Sequence, residues 1–155
     1  MVEIRHRNIL HYVRDIEQKL ILLENKKKYT WLIDDVIKLF DSIVKGYPIG
    51  YILLHKNIVI DGFHRLQTIV KYLTQEYDLY YNLEEECFTN FYSGKHCVPI
   101  STLVNSRKLH KYEQFLSELY YDRAEKVGII VCDFRISCAV SDSEIEAKEM
   151  KDRIN

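Results

Sequence analysis

The sequence predicts an α+β fold in a single domain. Three observations lead there. Short β-like runs at 49–54, 58–60 and 77–83 are interrupted by longer stretches with helical spacing of apolar residues. One of those runs, Ile58-Val59-Ile60, passes directly through Asp61-Gly62 into an amphipathic stretch, the signature of strand, tight turn and helix. No repeat, low-complexity tract or linker divides the 155 residues, so residues 1–155 read as one domain with residues 1–24 as a helical N-terminal extension.

Each element has its own local reason. Ile9, Leu10, Val13, Ile16 and Leu20 fall on one helical face, which predicts a helix over 5–23, with Leu22-Leu23 open to a short strand instead. Asn25-Lys26-Lys27-Lys28 breaks the pattern and reads as a solvated loop. From Trp31, the residues Ile33, Val36, Ile37, Phe40, Ile43 and Val44 mark a second helix, stopped by Gly46 and then Pro48. Residues 55–57 read as a turn between strands 49–54 and 58–60. Leu66, Ile69, Val70 and Leu73 give the following helix one buried stripe. Residues 84–86 form a surface segment, 89–97 a loop and 99–103 a short helix. Leu109, Tyr112, Leu116, Leu119 and Tyr120 predict a longer helix, and the Ile129-Ile130-Val131 run predicts a strand over 128–134. Ser141 and Glu144 fit a capping box ahead of Ile145, Met150 and Ile154.

Composition narrows the class. Apolar residues make up 47% and charged residues 29%, the balance of a folded soluble chain. The formal net charge is −1, which disfavours a protein that coats nucleic acid. No apolar run approaches the roughly 20 residues needed to span a bilayer, and no signal-peptide core follows the N-terminus. A cytoplasmic location without membrane association is expected. Cys87, Cys97, Cys132 and Cys138 contain no Cys-x-x-Cys pair, so they read as free thiols rather than a zinc site.

The chemistry concentrates at Tyr47-Pro48-Ile49-Gly50 and, eleven residues on, Asp61-Gly62-Phe63-His64-Arg65-Leu66. A helix N-terminus presents unpaired amides and a positive dipole end. A glycine for close approach and a guanidinium beside it complete a phosphate seat. The same residues also admit a plain structural reading. Asp61 then caps the helix, Gly62 makes the turn, His64 is a surface or capping residue and Arg65 is solvated.

Several segments together resemble the prokaryotic family named for its Asp-Gly-Gln-Gln-Arg motif (domain of unknown function 262), found as the N-terminal part of GmrSD-type modification-dependent restriction enzymes. Tyr29-Thr30-Trp31 resembles the family's Tyr-x-Trp. Asp41-Ser42-Ile43 through Gly46-Tyr47-Pro48-Ile49-Gly50 resembles its next segment, and residues 59–69 resemble its motif proper. Arg153-Ile154-Asn155 resembles its closing Arg-Ile-Asn. The resemblance implies a ParB/sulfiredoxin-like fold, a small mixed sheet with flanking helices, whose glycine-arginine turn binds a nucleoside triphosphate with Mg2+. It also implies a part in restriction and phage defence, with slow NTP hydrolysis as a candidate activity. On that basis Gly62 and the amides after it would cradle a phosphate, Arg65 would neutralise it and His64 would donate to it. Asp61 would hold the Mg2+, Tyr47, Pro48, Ile49 and Gly50 would form the opposite wall, and Lys27 would add a second phosphate contact. Asp61 and His64 are the candidates for activating water.

Phe63-His64 stands where the family has paired glutamines, a Gly-x-His-Arg form closer to the ParB-like and sulfiredoxin branches. Sulfiredoxin's catalytic cysteine falls on Phe63, so its chemistry is not expected. The family's Gln-Arg before Tyr-x-Trp falls on Lys26-Lys27, which keeps charge but loses the planar fork. Two other roles stay open: a non-catalytic regulatory or interaction module, and a DNA-binding accessory factor using Lys26, Lys27, Lys28, Arg107 and Lys108. The C-terminal nuclease half of such enzymes is expected to be absent, with a nuclease partner chain or DNA as candidate partners. Purified protein incubated with modified and unmodified plasmid, Mg2+ or Mn2+ and nucleotide is therefore expected to leave the DNA intact. Cutting that is lost in Asp61→Ala would overturn that expectation.

Overall fold

The computed structural model describes residues 2–23, 28–75, 77–141, 143, 148–149 and 151. Its elements run β1 (Val2–Asn8), α1 (Ile9–Glu17), α2 (Ile33–Lys45), β2 (Ile52–His55), β3 (Ile58–Asp61) and α3 (Phe63–Thr74). They continue with β4 (Tyr80–Asn82), β5 (Cys87–Thr89), β6 (Cys97–Pro99), α4 (Ile100–Leu103), α5 (Ser106–His110), α6 (Glu118–Asp133) and β7 (Arg135–Ser141). The fold is α+β. The chain makes two compact units: Met1–Thr30, Pro48–Val70 and Phe134–Asn155 form one, and Trp31–Tyr47 with Lys71–Asp133 form the other. Among the described residues, no helix is long and apolar enough to cross a membrane. All four cysteines are free.

The first unit is built on a mixed four-stranded sheet in the order β1-β7-β2-β3. β7 pairs antiparallel with β1 and parallel with β2, and β2 pairs antiparallel with β3. Two left-handed residues, Lys56 (φ 49°) and Asn57 (φ 63°), close the β2–β3 hairpin, as a two-residue turn of this type requires. Leu22 bridges in parallel to Ile58, so one residue of the predicted helix 5–23 does take the strand alternative. The start of that predicted helix is also a strand. Residues 2–8 pair along β7, and the helix begins only after Asn8, whose side chain accepts from the His11 N–H at 3.0 Å. Non-local pairing overrides local spacing here, and the cap residue marks the switch. Tyr12 is buried and its hydroxyl donates to the Ile136 carbonyl at 2.8 Å, tying α1 to β7. Burial also pushes the Cys138 thiol up to about 11, which makes it inert near neutrality.

In the second unit, α2 follows its sequence pattern closely. The Leu32 N–H donates to the Asp35 carboxylate at 3.0 Å at its start, and Gly46 (φ 75°) ends it. A three-stranded antiparallel sheet, order β5-β4-β6, has β4 within the strand read over 77–83, and β5 and β6 flank the segment read as a loop over 89–97. Phe40 packs against Tyr72 and Phe88 in the core. The predicted helix through 109–120 is two helices. Asn105 caps α5 by accepting from the Arg107 and Lys108 amides, and Ser117 starts α6 by accepting from the Tyr120 amide at 3.1 Å.

The strand predicted over 128–134 is helical instead. Its β-branched run belongs to α6, where Ala124, Val127, Gly128 and Val131 are buried at helical spacing while Ile129 and Ile130 are exposed. The strand comes after it, as β7. Ser141 is the last residue of β7, and its predicted capping partner Glu144, with Ile145, Met150 and Ile154, lies outside the described residues.

Gly128 lets α6 pack closely against α4. A Cβ at Gly128 would overlap the carbonyl oxygen of Leu103, so α6 reaches this close to α4 only with glycine there. Alanine would gain up to ~1 kcal/mol of helix propensity. Overpacking costs roughly 1–3 kcal/mol, and the upper part applies because a backbone carbonyl does not swing aside. Gly128→Ala is expected to lower the thermal midpoint by several degrees, at about 2–4 °C per kcal/mol for a chain of this size. An unchanged or raised midpoint would contradict the close approach.

Candidate functional site

The turn singled out in the sequence joins β3 to α3 within the first unit. Its geometry begins with an irregularity in the hairpin. Leu54 pairs with Val59 but Leu53 pairs with Asp61, so β3 carries one residue more than β2 at Ile60. Bulges of this kind bend a strand and re-aim the residue after it. Asp61 then ends β3 as a buried residue, 8% exposed. The Gly62 carbonyl accepts from the Leu66 N–H at 3.0 Å, which makes Gly62, not Asp61, the cap of α3.

Arg65 sits in the first turn of α3, where the helix dipole opposes a cation. Its side chain turns back instead. One guanidinium nitrogen donates to the Ile49 carbonyl and the other to the Tyr51 carbonyl at 2.9 Å. The Pro48-Ile49-Gly50-Tyr51 segment is thereby wrapped around a planar fork that only arginine supplies. Gly50 (φ 89°) and Gly62 (φ 96°) are both left-handed, and both are pressed from outside. A Cβ on Gly50 would strike the Arg65 guanidinium, and one on Gly62 would strike the Ile52 side chain.

Asp61 lies beside this fork but is not satisfied by it. Its Oδ2 is 3.8 Å from Arg65 Nη2, close enough for charge attraction and too far for a hydrogen bond. That oxygen is buried and has no hydrogen-bond partner. Burial pulls the Arg65 guanidinium below its ordinary value and the Asp61 charge works against the shift; a guanidinium stays charged regardless.

The opposite side of α3 holds a second segment. The Thr30 N–H donates to His64 Nε2 at 3.3 Å, with Thr30 Oγ1 at 3.2 Å, and the Tyr29 ring tilts against the His64 ring at 5.7 Å. One turn further on, Thr68 shares a 2.7 Å hydrogen bond with the Tyr29 hydroxyl. The Thr30 amide thereby occupies the Nε2 side of the His64 ring.

The structure thus brings Ile49, Gly50, Asp61, Gly62 and Arg65 together, with His64 on the adjoining face. Pro48 is exposed at the start of the wrapped segment. Tyr47 is exposed and belongs to the second unit. Lys27, Arg153 and Asn155 lie outside the described residues. Sequence reasoning gave no site role to Tyr51, Thr30 or Thr68. Tyr51 contributes a backbone carbonyl, which leaves no side-chain signal, while Thr30 contributes both its amide and its hydroxyl, and Thr68 was visible only as the residue four after His64. Among the described residues, no group of three or more His, Cys, Asp or Glu is placed to hold a metal ion.

A small mixed sheet, a bulged strand and a glycine turn lead into a helix held on two faces, within an α+β fold. The family model described as the GmrSD restriction endonuclease, N-terminal domain, matches residues 24–155, and the chain belongs to that family. Comparison with curated proteins and with solved structures returns no significant match. Membership makes the chain a module of the restriction systems that defend against phage.

The Arg65 geometry has a direct consequence for stability. Arg65→Ala removes two charge-assisted bonds and leaves Asp61 buried without its cation, at a cost of roughly 2–4 kcal/mol. Arg65→Lys keeps a charge but cannot span both carbonyls and is expected to recover only part. Urea unfolding of the three proteins measures this. Arg65→Ala within ~0.5 kcal/mol of wild type, the range of ordinary surface changes, would contradict the wrapped segment.

Proposed function

We propose that the β3–α3 turn binds a nucleoside triphosphate with Mg2+, and that this binding is the module's part in restriction. The observation that carries the reading is the buried Asp61 Oδ2 with no hydrogen-bond partner. An unsatisfied carboxylate oxygen costs free energy that a cation or donor arriving with a ligand would recover. Mg2+ typically takes one or two carboxylates and completes its shell with phosphate oxygens and water. A single aspartate is enough if the phosphates come with the metal. The amides at the start of α3, a helix of 12 residues, supply the anion-binding end. Arg65 serves mainly by fixing the Ile49–Tyr51 backbone and adding its positive field, since two of its donors already hold carbonyls.

The same contacts bear on turnover. His64 Nε2 already accepts from Thr30, so Asp61 is the better placed group for orienting water. Asp61 would then serve metal and water at once. That double demand favours binding over hydrolysis, and it gives specific support to a second reading, a nucleotide-responsive regulatory module that does not turn its ligand over.

Titration calorimetry with the four ribonucleoside triphosphates and Mg2+ tests the assignment. Wild type is expected to bind at least one of them. Asp61→Asn should weaken it by tenfold or more, about 1.4 kcal/mol, and His64→Ala by less. Equal affinity in wild type and Asp61→Asn, or no heat at millimolar ligand, would overturn the site.

A further inference from the structure

The second unit holds a pocket that the proposed nucleotide turn does not use. It is about 480 Å³ in volume, and its lining includes Tyr77, Asp78 and Tyr80 from around β4 with Lys108, Lys111 and Tyr112 from around α5. That volume lies within the roughly 300–1,000 Å³ of ordinary small-molecule sites. Three tyrosines and two lysines around one cavity are an unusual concentration for a chain of net charge −1.

Each group is positioned by local structure. Asn105 caps α5, and the short helix and the turn after it set Lys108 and Lys111 three residues apart, which places them on one face. The Lys111 N–H donates to the Lys108 carbonyl at 3.2 Å, holding that turn closed. The Tyr80 hydroxyl donates to Asp78 Oδ1 at 3.1 Å, and its ring tilts against Tyr92 at 5.4 Å. The Tyr77 ring is braced by Tyr72 at 5.2 Å and covered by the Lys71 ammonium at 4.9 Å. The Tyr77 and Tyr80 rings are therefore held in place, with the Lys71 ammonium beside Tyr77.

We propose that this pocket binds a nucleotide unit, a planar base with its phosphate, either as a free nucleotide or as part of a nucleic-acid single strand. Tyrosine faces stack bases of any identity, and lysines neutralise the phosphate beside them. The Asp78 carboxylate gives an acceptor for a base N–H, whether a ring imide or an exocyclic amine. An acidic peptide would use the lysines but leave three aromatic rings unexplained, and a neutral sugar would leave the lysines unexplained. This site is separate in sequence from Asp61 and does not depend on the reading given for that turn.

The test is fluorescence anisotropy with a labelled single-stranded octathymidylate in EDTA, which disables any Mg2+-dependent binding at the Asp61 turn. Lys108→Gln/Lys111→Gln and Tyr112→Ala are compared with a charge-matched surface control, Lys38→Gln/Lys126→Gln, each checked for folding by circular dichroism. Wild type is expected to bind. The pocket variants should lose tenfold or more, and the control should stay within about twofold. Removing the two lysines should flatten the dependence of log K on log salt by roughly 1.4, at about 0.7 per phosphate contact on a single strand. Unlabelled nucleoside monophosphates are then added. Displacement at millimolar concentration or below identifies the free nucleotide as sufficient, and its absence identifies the strand. No binding by wild type of either probe, or equal loss in the surface control, would overturn the proposal.

Discussion

The guanidinium of Arg65, held between the carbonyls of Ile49 and Tyr51, is the interaction on which the candidate site depends. It fixes a segment with no regular structure against the first turn of α3, and it supplies the positive charge that lets Asp61 remain buried. Without it, an aspartate that is only 8% exposed would face a desolvation cost with nothing opposing it. The two glycines follow from the same arrangement, because Gly50 lies under the guanidinium and Gly62 under Ile52. On the other face of the helix, His64 and Thr68 hold Tyr29 and Thr30. The start of α3 is thus fixed from both sides before any ligand arrives, the preorganisation a binding site needs to limit its entropic cost.

What is left unsatisfied in this arrangement is informative because so much else is satisfied. The Arg65 donors and the His64 acceptor have partners, while Asp61 Oδ2 has none. A bulge in β3 immediately precedes it, so the strand is bent at the residue that carries the unpaired charge. In the second unit the contrast is of another kind. Lysine and tyrosine side chains gather around a cavity. The two proposed sites would call on different physics, a carboxylate with helix amides in one and aromatic stacking with ammonium groups in the other.

Much of this was legible in the sequence where the signal is local. The α2 stripe ends at Gly46 because helical spacing and a left-handed stop coincide. The strand, Asp61-Gly62 turn and α3 were legible for the same reason. Where long-range pairing decides, the sequence misled. Residues 5–8 carry a helical pattern but hydrogen-bond along β7, and residues 128–133 carry a β-like composition but pack by helix against Leu103. The spacing of Ala124, Val127, Gly128 and Val131 held the correct answer against composition. At the site, the identities of Asp61, Gly62, His64 and Arg65 could be read, but not what they touch. The Arg65 partners are backbone carbonyls, and any residue sequence at 49 and 51 could have offered them.

The proposed binding of nucleotide at the start of α3 is open to direct mapping by amide chemical-shift changes in 15N-labelled protein titrated with Mg2+ and the nucleoside triphosphate that calorimetry selects. The largest changes are expected on residues 62–65, with a second group at 50 and 51 across the Arg65 fork, and are expected to be lost in Asp61→Asn. Saturable changes confined to other residues, or undiminished in Asp61→Asn, would contradict it.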